Sequence, residues 1–280
     1  MELRLFRTLW GCDGPYARVA AEAVAAGFDG LEGPSPAEPS AWAGLSDALA
    51  AHGLDYIAEV TTAGGYVPDR QADPAHHLAT LELGLQRCAE LRPRSVNCIG
   101  GCDAWSEPQS IDFFGAAMEL AARYELPISF ETHRSRSLFN PWVTRRIVEA
   151  LPALELTADF SHWCVVCERL LDSEMDVIEA IAPRVRHVHG RVGYDQGPQV
   201  PHPAAPEYAQ ALAAHQRWWE TLWRAQQARG FACTTMTPEF GPDGYLHCLP
   251  FTQAPVADLW EINRWMGDVE RGHFARWSGA

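Results

Sequence analysis

Four apolar runs in this chain each carry, at their C-terminal end, a residue of a type that binds metals. They are Ile128-Ser129-Phe130-Glu131-Thr132-His133, Leu156-Thr157-Ala158-Asp159-Phe160-Ser161-His162, Val185-Arg186-His187-Val188-His189-Gly190-Arg191 and Thr237-Pro238-Glu239-Phe240-Gly241. Glu131, Asp159, His189 and Glu239 follow one another at intervals of 28, 30 and 50 positions. Each of the first two intervals fits one strand–loop–helix–loop unit, and the third has room for a long helix. One ligand per strand, always at the same end, is what a (β/α)8 barrel produces, because its functional residues collect at the C-terminal mouth. Three carboxylates and an imidazole form an oxygen-rich, mixed set suited to a divalent cation.

The rest of the chain agrees. Strand-like runs alternate with amphipathic stretches from end to end, the pattern of βα units on a parallel sheet. Strands are expected near Leu3–Trp10, Phe28–Glu32, Asp55–Thr61, Ser95–Ile99, Pro127–Thr132, Glu155–Phe160, Arg186–Gly190 and Ala232–Glu239, eight in all, the number that closes a barrel. Helices are expected at Tyr16–Ala26, Pro39–Ala51, Ala75–Leu91, Ile111–Tyr124, Pro141–Ala150, Ser173–Ile181, Pro206–Ala228 and Val256–Val269. Gly27, Gly53 and Gly230 stand where helix C-caps fall, and Pro141 and Pro206 near helix starts. No low-complexity linker divides the sequence, so residues 1–280 are read as a single domain. Two Pro/Gly-rich loops, Val192–Ala205 and Gly241–Pro255, follow the seventh and eighth strands, where long loops often act as lids or set specificity.

Composition narrows the function. A formal charge of −14 repels phosphate backbones, so nucleic acid is not an expected partner. No run of eighteen apolar residues offers a membrane span, and the N-terminus lacks the pattern of a signal peptide. The expected location is cytoplasmic, and the eight cysteines are read as reduced thiols. Cys164-Val165-Val166-Cys167 has redox spacing without the flanking context of a redox site. Buried small hydrophobes are the plainer reading. Trp218, Trp219 and Trp223 cluster on one expected helix. They are read as packing on the barrel exterior, with a homodimer face as the alternative.

Side-chain alternation refines the candidates. Glu131 and His133 share one face of the fifth strand, and His187, His189 and Arg191 one face of the seventh. His189 is preferred to His187 as ligand because it lies nearer the rim. Taken singly, a strand-end Glu is usually solvated and a lone His usually structural. Four such residues on four consecutive strands at one end are hard to ascribe to chance. His133 is read as a pocket residue. Arg191 is either a clamp for a substrate carboxylate or the partner of one of the many acids. Glu32, Glu59 and Asn97 end other strands and are left unassigned. Trp10 and Trp163 fit a pocket wall or core packing equally well.

The strand-end Glu, the Asp-x-x-His of Asp159 and His162, the His-x-His of His187 and His189, and Pro238-Glu239-Phe240 together resemble the xylose isomerase-like TIM-barrel superfamily. The segment Gly27-Phe28-Asp29-Gly30-Leu31-Glu32 resembles that group's second strand. The resemblance covers nearly the whole chain. It implies that Glu131, Asp159, His189 and Glu239 bind Mn²⁺, Mg²⁺ or Co²⁺, with Zn²⁺ a further fit. It also implies that Glu131 and Glu239 act as the proton-transfer pair on opposite faces of the substrate, and that His162 contacts a substrate oxygen. The implied function is isomerisation or epimerisation of a small sugar or polyol derivative by proton abstraction next to a carbonyl. A dehydratase of inosose or dehydroshikimate type is the runner-up. An endonuclease IV-like nuclease is disfavoured by the acidic charge and by the lack of histidines at the early strand ends. A non-catalytic barrel is disfavoured by the presence of both glutamates.

Overall fold

Eight parallel strands alternate with helices and close on themselves. The structure is a computed structural model describing residues 1–279 apart from Asp243. In chain order the elements are β1 (Glu2–Thr8), α1 (Tyr16–Ala25), β2 (Gly30–Pro34), α2 (Pro39–His52), β3 (Asp55–Thr61), α3 (Pro74–Leu91), β4 (Ser95–Ile99), α4 (Glu107–Arg123) and β5 (Ile128–Glu131). They continue with α5 (Pro141–Ala150), β6 (Leu156–Ala158), α6 (Phe160–Cys167), α7 (Met175–Ile181), β7 (Val185–His189), α8 (Ala209–Ala228), β8 (Cys233–Thr237) and α9 (Leu259–Ser278). Each strand pairs with the next, and β8 returns to β1 in the register Glu2↔Cys233 to Leu5↔Met236. The chain is therefore a (β/α)8 barrel, as the spacing of the strand-end residues requires. Among the described residues no helix is long and apolar enough to cross a membrane.

Two elements depart from expectation. Helix α6 was not foreseen. Asp159, read only as a ligand, also caps it: its Oδ1 accepts from the Ser161 amide at 3.0 Å, the usual service of an Asp at an N-cap. The last helix runs on to Ser278, because isolated glycines such as Gly267 and Gly272 are tolerated in its interior.

The barrel splits its side chains between two environments. Outward-facing Leu31, Val96, Phe130, Leu156, Val188 and Met236 join the apolar layer under the helices. At the floor Phe6 lies edge-on to His187, with ring centroids 6.3 Å apart. Gly30 makes this possible, since a Cβ there would fall 2.3 Å from the Phe6 ring. Trp218, Trp219 and Trp223 are fully buried within the chain, packed against neighbours such as His215 and Phe274. They offer no partner face, so any homodimer must use another surface. Trp163 is likewise core, its indole N–H donating to the Leu138 carbonyl at 3.0 Å. Cys164 and Cys167 are buried free thiols, and burial pushes both up from the ordinary thiol range. That disfavours the thiolate a redox motif needs.

One polar contact between α8 and α9 makes stability depend on pH. His273 lies 3.0 Å from Glu270 through Nδ1 and 3.0 Å from Glu220 through Nε2. Both acceptors are carboxylates, so both ring nitrogens donate only in the imidazolium. Burial opposes that charge, but the two glutamates outweigh it and raise the His273 pKa. A raised folded-state pKa gives stability that is complete below the unfolded value, about 6.5, and is lost as pH rises through the folded value. His273→Gln is therefore expected to cost roughly 1–2 kcal/mol near pH 6 and distinctly less near pH 9. Urea unfolding of both proteins at the two pH values checks this, and a gap that widens with pH would refute it.

Candidate metal centre

Glu131 is the last residue of β5, Asp159 follows β6 directly, His189 ends β7, and Glu239 lies two residues past β8. One ligand-type atom from each lies within 4.8 Å of those of the other three, and all four residues are buried. From His189 Nδ1 the distances are 3.0 Å to Glu239 Oε2, 3.7 Å to Glu131 Oε2 and 3.9 Å to Asp159 Oδ2. The barrel thus brings together the four residues its sequence singled out.

The orientation of His189 is what a metal ligand needs. Its Nε2 lies 3.1 Å from Glu32 Oε1, while Glu32 Oε2 lies 3.0 Å from His187 Nε2 and accepts from the Thr237 hydroxyl. His187 Nδ1 in turn meets Thr235 Oγ1 at 2.8 Å, one layer deeper, as expected. Glu32 therefore fixes the His189 ring and turns Nδ1 toward the carboxylates. Nδ1 is buried and has no hydrogen bond of acceptable geometry, although Glu239 Oε2 is near. A carboxylate behind a histidine whose other nitrogen faces a cluster of acids is the usual outer support of a metal-bound imidazole. Asn97 plays the same part for Glu131, its amide donating to Oε2 at 2.8 Å. The residues fit a divalent cation held by Glu131, Asp159, His189 and Glu239.

So many buried acids shift one another. Burial pushes the Glu131 carboxyl up, but His189, His133 and the Asn97 amide outweigh it and bring it down to about 2. Burial raises Glu239 more than His189 and Arg191 lower it. Asp159 is raised by burial against the pull of Arg191. Glu59, also buried, is raised well above the carboxylate range, first by burial and then by the charges of Glu239, Glu131 and Glu32.

The three expected substrate contacts border this cluster. His162 Nε2 is 3.7 Å from Glu131 Oε1 and 3.6 Å from Asp159 Oδ2. Burial, then His133 and Arg191, push its pKa well down, so the ring is neutral. His133 packs on it, with ring centroids 3.9 Å apart, and burial lowers His133 to about 4. Arg191 is fully buried. It donates to Asp159 through Nη2, to Ser161 Oγ at 3.0 Å, to the Glu239 carbonyl at 3.2 Å and to His162 Nε2 at 2.9 Å. Of its two expected roles, the ion pair is the one formed here.

An aromatic cover closes the mouth. Trp10 meets Tyr245 edge-on at 4.8 Å and Tyr66 at 5.3 Å. Gly241 admits the Trp10 ring, which would lie 2.0 Å from a Cβ at that position. Trp10 is accordingly a wall residue. Beside the cover a cavity of about 300 Å³ is lined in part by Leu9, Trp10, Cys12, Tyr16 and Tyr66. The loop after β7, expected as a lid or a specificity loop, is tied down onto the barrel. Val192, Gln199 and Val200 are buried, Val200 N bonds to the Val192 carbonyl, and Gln199 ties both backbone groups of Gly241. These bonds make it a fixed wall. In the loop after β8, Leu249, Phe251 and Val256 are exposed; Asp243 lies outside the described residues.

Glu32, Asn97, Ser161, Tyr66 and Tyr245 complete the site without having been assigned to it. The first two, expected at strand ends, lie inside β2 and β4, and nothing local says which inward-facing side chains converge. The tyrosines lie in loops, where nothing local marks them.

Residues 20–197 match the family described as xylose isomerase-like TIM barrel. The chain belongs to that family. No curated protein sequence matches it. Among solved structures, this xylose isomerase-like barrel is similar to an L-ribulose 3-epimerase at 15% identity and TM-score 0.67, covering 99% of this chain and 96% of the other. It is similar to AsbF of Bacillus anthracis, a probable 3-DHS dehydratase, at 14% identity and TM-score 0.63, covering 95% and 98%. It is also similar to the IolI protein with a binding zinc atom, at 13% identity and TM-score 0.65, covering 99% of each. Identities this low speak for a shared barrel.

Proposed function

We propose that this chain is a divalent-cation-dependent isomerase or epimerase of a small sugar or polyol derivative, working by proton transfer next to a carbonyl. One observation carries the reading. Glu131 from β5 and Glu239 from beyond β8 enter one buried cluster with Asp159 and His189, two carboxylates placed beside the atoms that would hold a cation. A bound Mn²⁺, Mg²⁺, Co²⁺ or Zn²⁺ would supply Lewis-acid stabilisation of the charge that develops when a C–H beside a carbonyl loses its proton.

The protein's own groups do the rest. Glu131 and Glu239 are placed to act as the proton-transfer pair, one taking a proton from carbon and the other returning one. Positioned carboxylates of this kind contribute typically ~10²–10⁴-fold. His162, kept neutral by its surroundings, can hydrogen-bond a substrate oxygen. Trp10, Tyr66 and Tyr245 border the buried cluster, and a site shielded from water strengthens each of these interactions. The relatives named above include a 3-epimerase and a barrel with bound zinc, which supports the same class.

A dehydratase draws support from Glu59. A carboxyl held neutral by burial among Glu239, Glu131 and Glu32 could protonate a leaving hydroxyl, and AsbF is a relative of that type. The test is deuterium uptake by NMR. The protein is loaded in turn with Mn²⁺, Mg²⁺, Co²⁺ or Zn²⁺ and offered ketoses, inososes and 3-keto acids in D₂O. Metal-dependent deuterium next to a carbonyl is expected, with an isomerised or epimerised product. Water elimination would favour the dehydratase. Failure of every compound to exchange on the fully metallated protein would count against enolising chemistry.

A further inference from the structure

Arg191 does something a ligand set does not by itself require: its guanidinium pairs with two of the three carboxylates of that set. Nη2 bonds to Asp159 Oδ2, and Nη1 lies 3.5 Å from Glu239 Oε2. These are the same two oxygens that face His189 Nδ1. The other oxygen of Asp159 is already taken by the Ser161 amide and hydroxyl. Oδ2 is therefore the atom Asp159 has to offer, and Arg191 holds it. A guanidinium and a divalent cation are alternatives at such an oxygen, because both want its lone pairs and their charges repel in a dry site.

On its other side the guanidinium already borders an aromatic face. Its central carbon lies 4.8 Å from the centroid of the Tyr245 ring and 5.7 Å from that of Trp10, within reach of cation–π attraction toward the mouth. Moving there would also release His162 Nε2, which now accepts from Arg191.

We propose that Arg191 is a resident counter-cation of the ligand set. It neutralises Asp159 and Glu239 until a metal arrives, yields Asp159 Oδ2 to the incoming ion, and settles on the Trp10–Tyr245 face. From that face it meets negatively charged substrate oxygens, while His162 Nε2 becomes free to accept from a substrate hydroxyl. The proposal rests on the reading of Glu131, Asp159, His189 and Glu239 as the metal site. It makes Arg191 a positioning residue that couples metal loading to the readiness of the substrate pocket.

The test is Mn²⁺ binding by calorimetry to the full chain and to Arg191→Met, Arg191→Gln, Arg191→Lys and His189→Ala. Competition predicts at least about 10-fold tighter Mn²⁺ binding in the Met and Gln variants, and binding close to the parent in the Lys variant, which keeps the charge. Equal or weaker binding in the neutral variants overturns the proposal. In particular, the ~10–100-fold loss seen when an outer supporting residue is removed would mean that Arg191 orients Asp159 instead of competing for it. If the parent and every Arg191 variant bind Mn²⁺ no better than His189→Ala, the metal-site reading falls and the proposal with it. Folding of the variants is checked by circular dichroism. A second measurement leaves Arg191 intact. Mg²⁺ should change the tryptophan emission of the parent protein and not that of Trp10→Phe. A parent emission unmoved by saturating Mg²⁺ would also refute the displacement.

Discussion

His189→Ala is expected to lower divalent-metal affinity by more than about 100-fold, beyond the 10–100-fold loss typical of an outer supporting residue, and to remove metal-dependent proton exchange with little change in fold. The reason is the division of labour around the imidazole. Nδ1 faces Glu131, Asp159 and Glu239, while Nε2 only meets Glu32. Without the ring, Glu32 keeps His187 and Thr237, so the support layer stays bonded. Asp159→Ala should strip the metal as well, but at a greater structural cost. It removes the cap of α6, worth about 1 kcal/mol. It also leaves the buried Arg191 without the partner of its shortest ion pair, a loss of about 3–5 kcal/mol in comparable sites. Asp159→Asn, which keeps the shape and an oxygen for Ser161, is the milder variant. Metal content after dialysis, set beside urea unfolding, separates the two effects. Full metal occupancy in His189→Ala would show the ligand assignment to be wrong.

The contrast between Asp159 and His189 shows how far the sequence could be read. The barrel was legible because its strands and helices alternate without interruption, and because four acids or imidazoles recur at the same end of four successive strands. Asp55–Thr61, Ser95–Ile99 and Pro141–Ala150 fall where the apolar pattern puts them. What was not legible depends on closure. Glu32 reaches His189 across 157 positions of sequence, and only the curvature of the sheet decides that β2 and β7 aim into one space. Asp159 serves as ligand candidate, helix cap and partner of Arg191 at once, and a reading that gave it one role missed α6. Tyr66 and Tyr245 border the site from the loops after β3 and β8, far apart in sequence. Arg191 left two readings open because its neighbours in space, Asp159, Ser161 and Glu239, come from other strands.

Glu131→Gln and Glu239→Gln are expected to block interconversion of epimers by ~10²–10⁴-fold while leaving Mn²⁺ affinity within about tenfold of the parent. The amide oxygen of Gln can still ligate, and at position 131 it can still accept from Asn97; what it cannot do is carry the proton. The two variants should nevertheless differ in D₂O. If each glutamate serves one face of the substrate, the surviving one still removes and returns the proton of a single epimer. Glu239→Gln should then wash deuterium into one epimer without converting it, and Glu131→Gln into the other. A single-base enzyme gives another pattern: one variant loses exchange from both epimers and the other keeps both. Unchanged exchange in Glu239→Gln would remove that residue from proton transfer and leave it a ligand only. The reciprocal pattern would assign base and acid by position, Glu131 at the end of β5 and Glu239 beyond β8, because nothing else exchanged between the two variants distinguishes the faces.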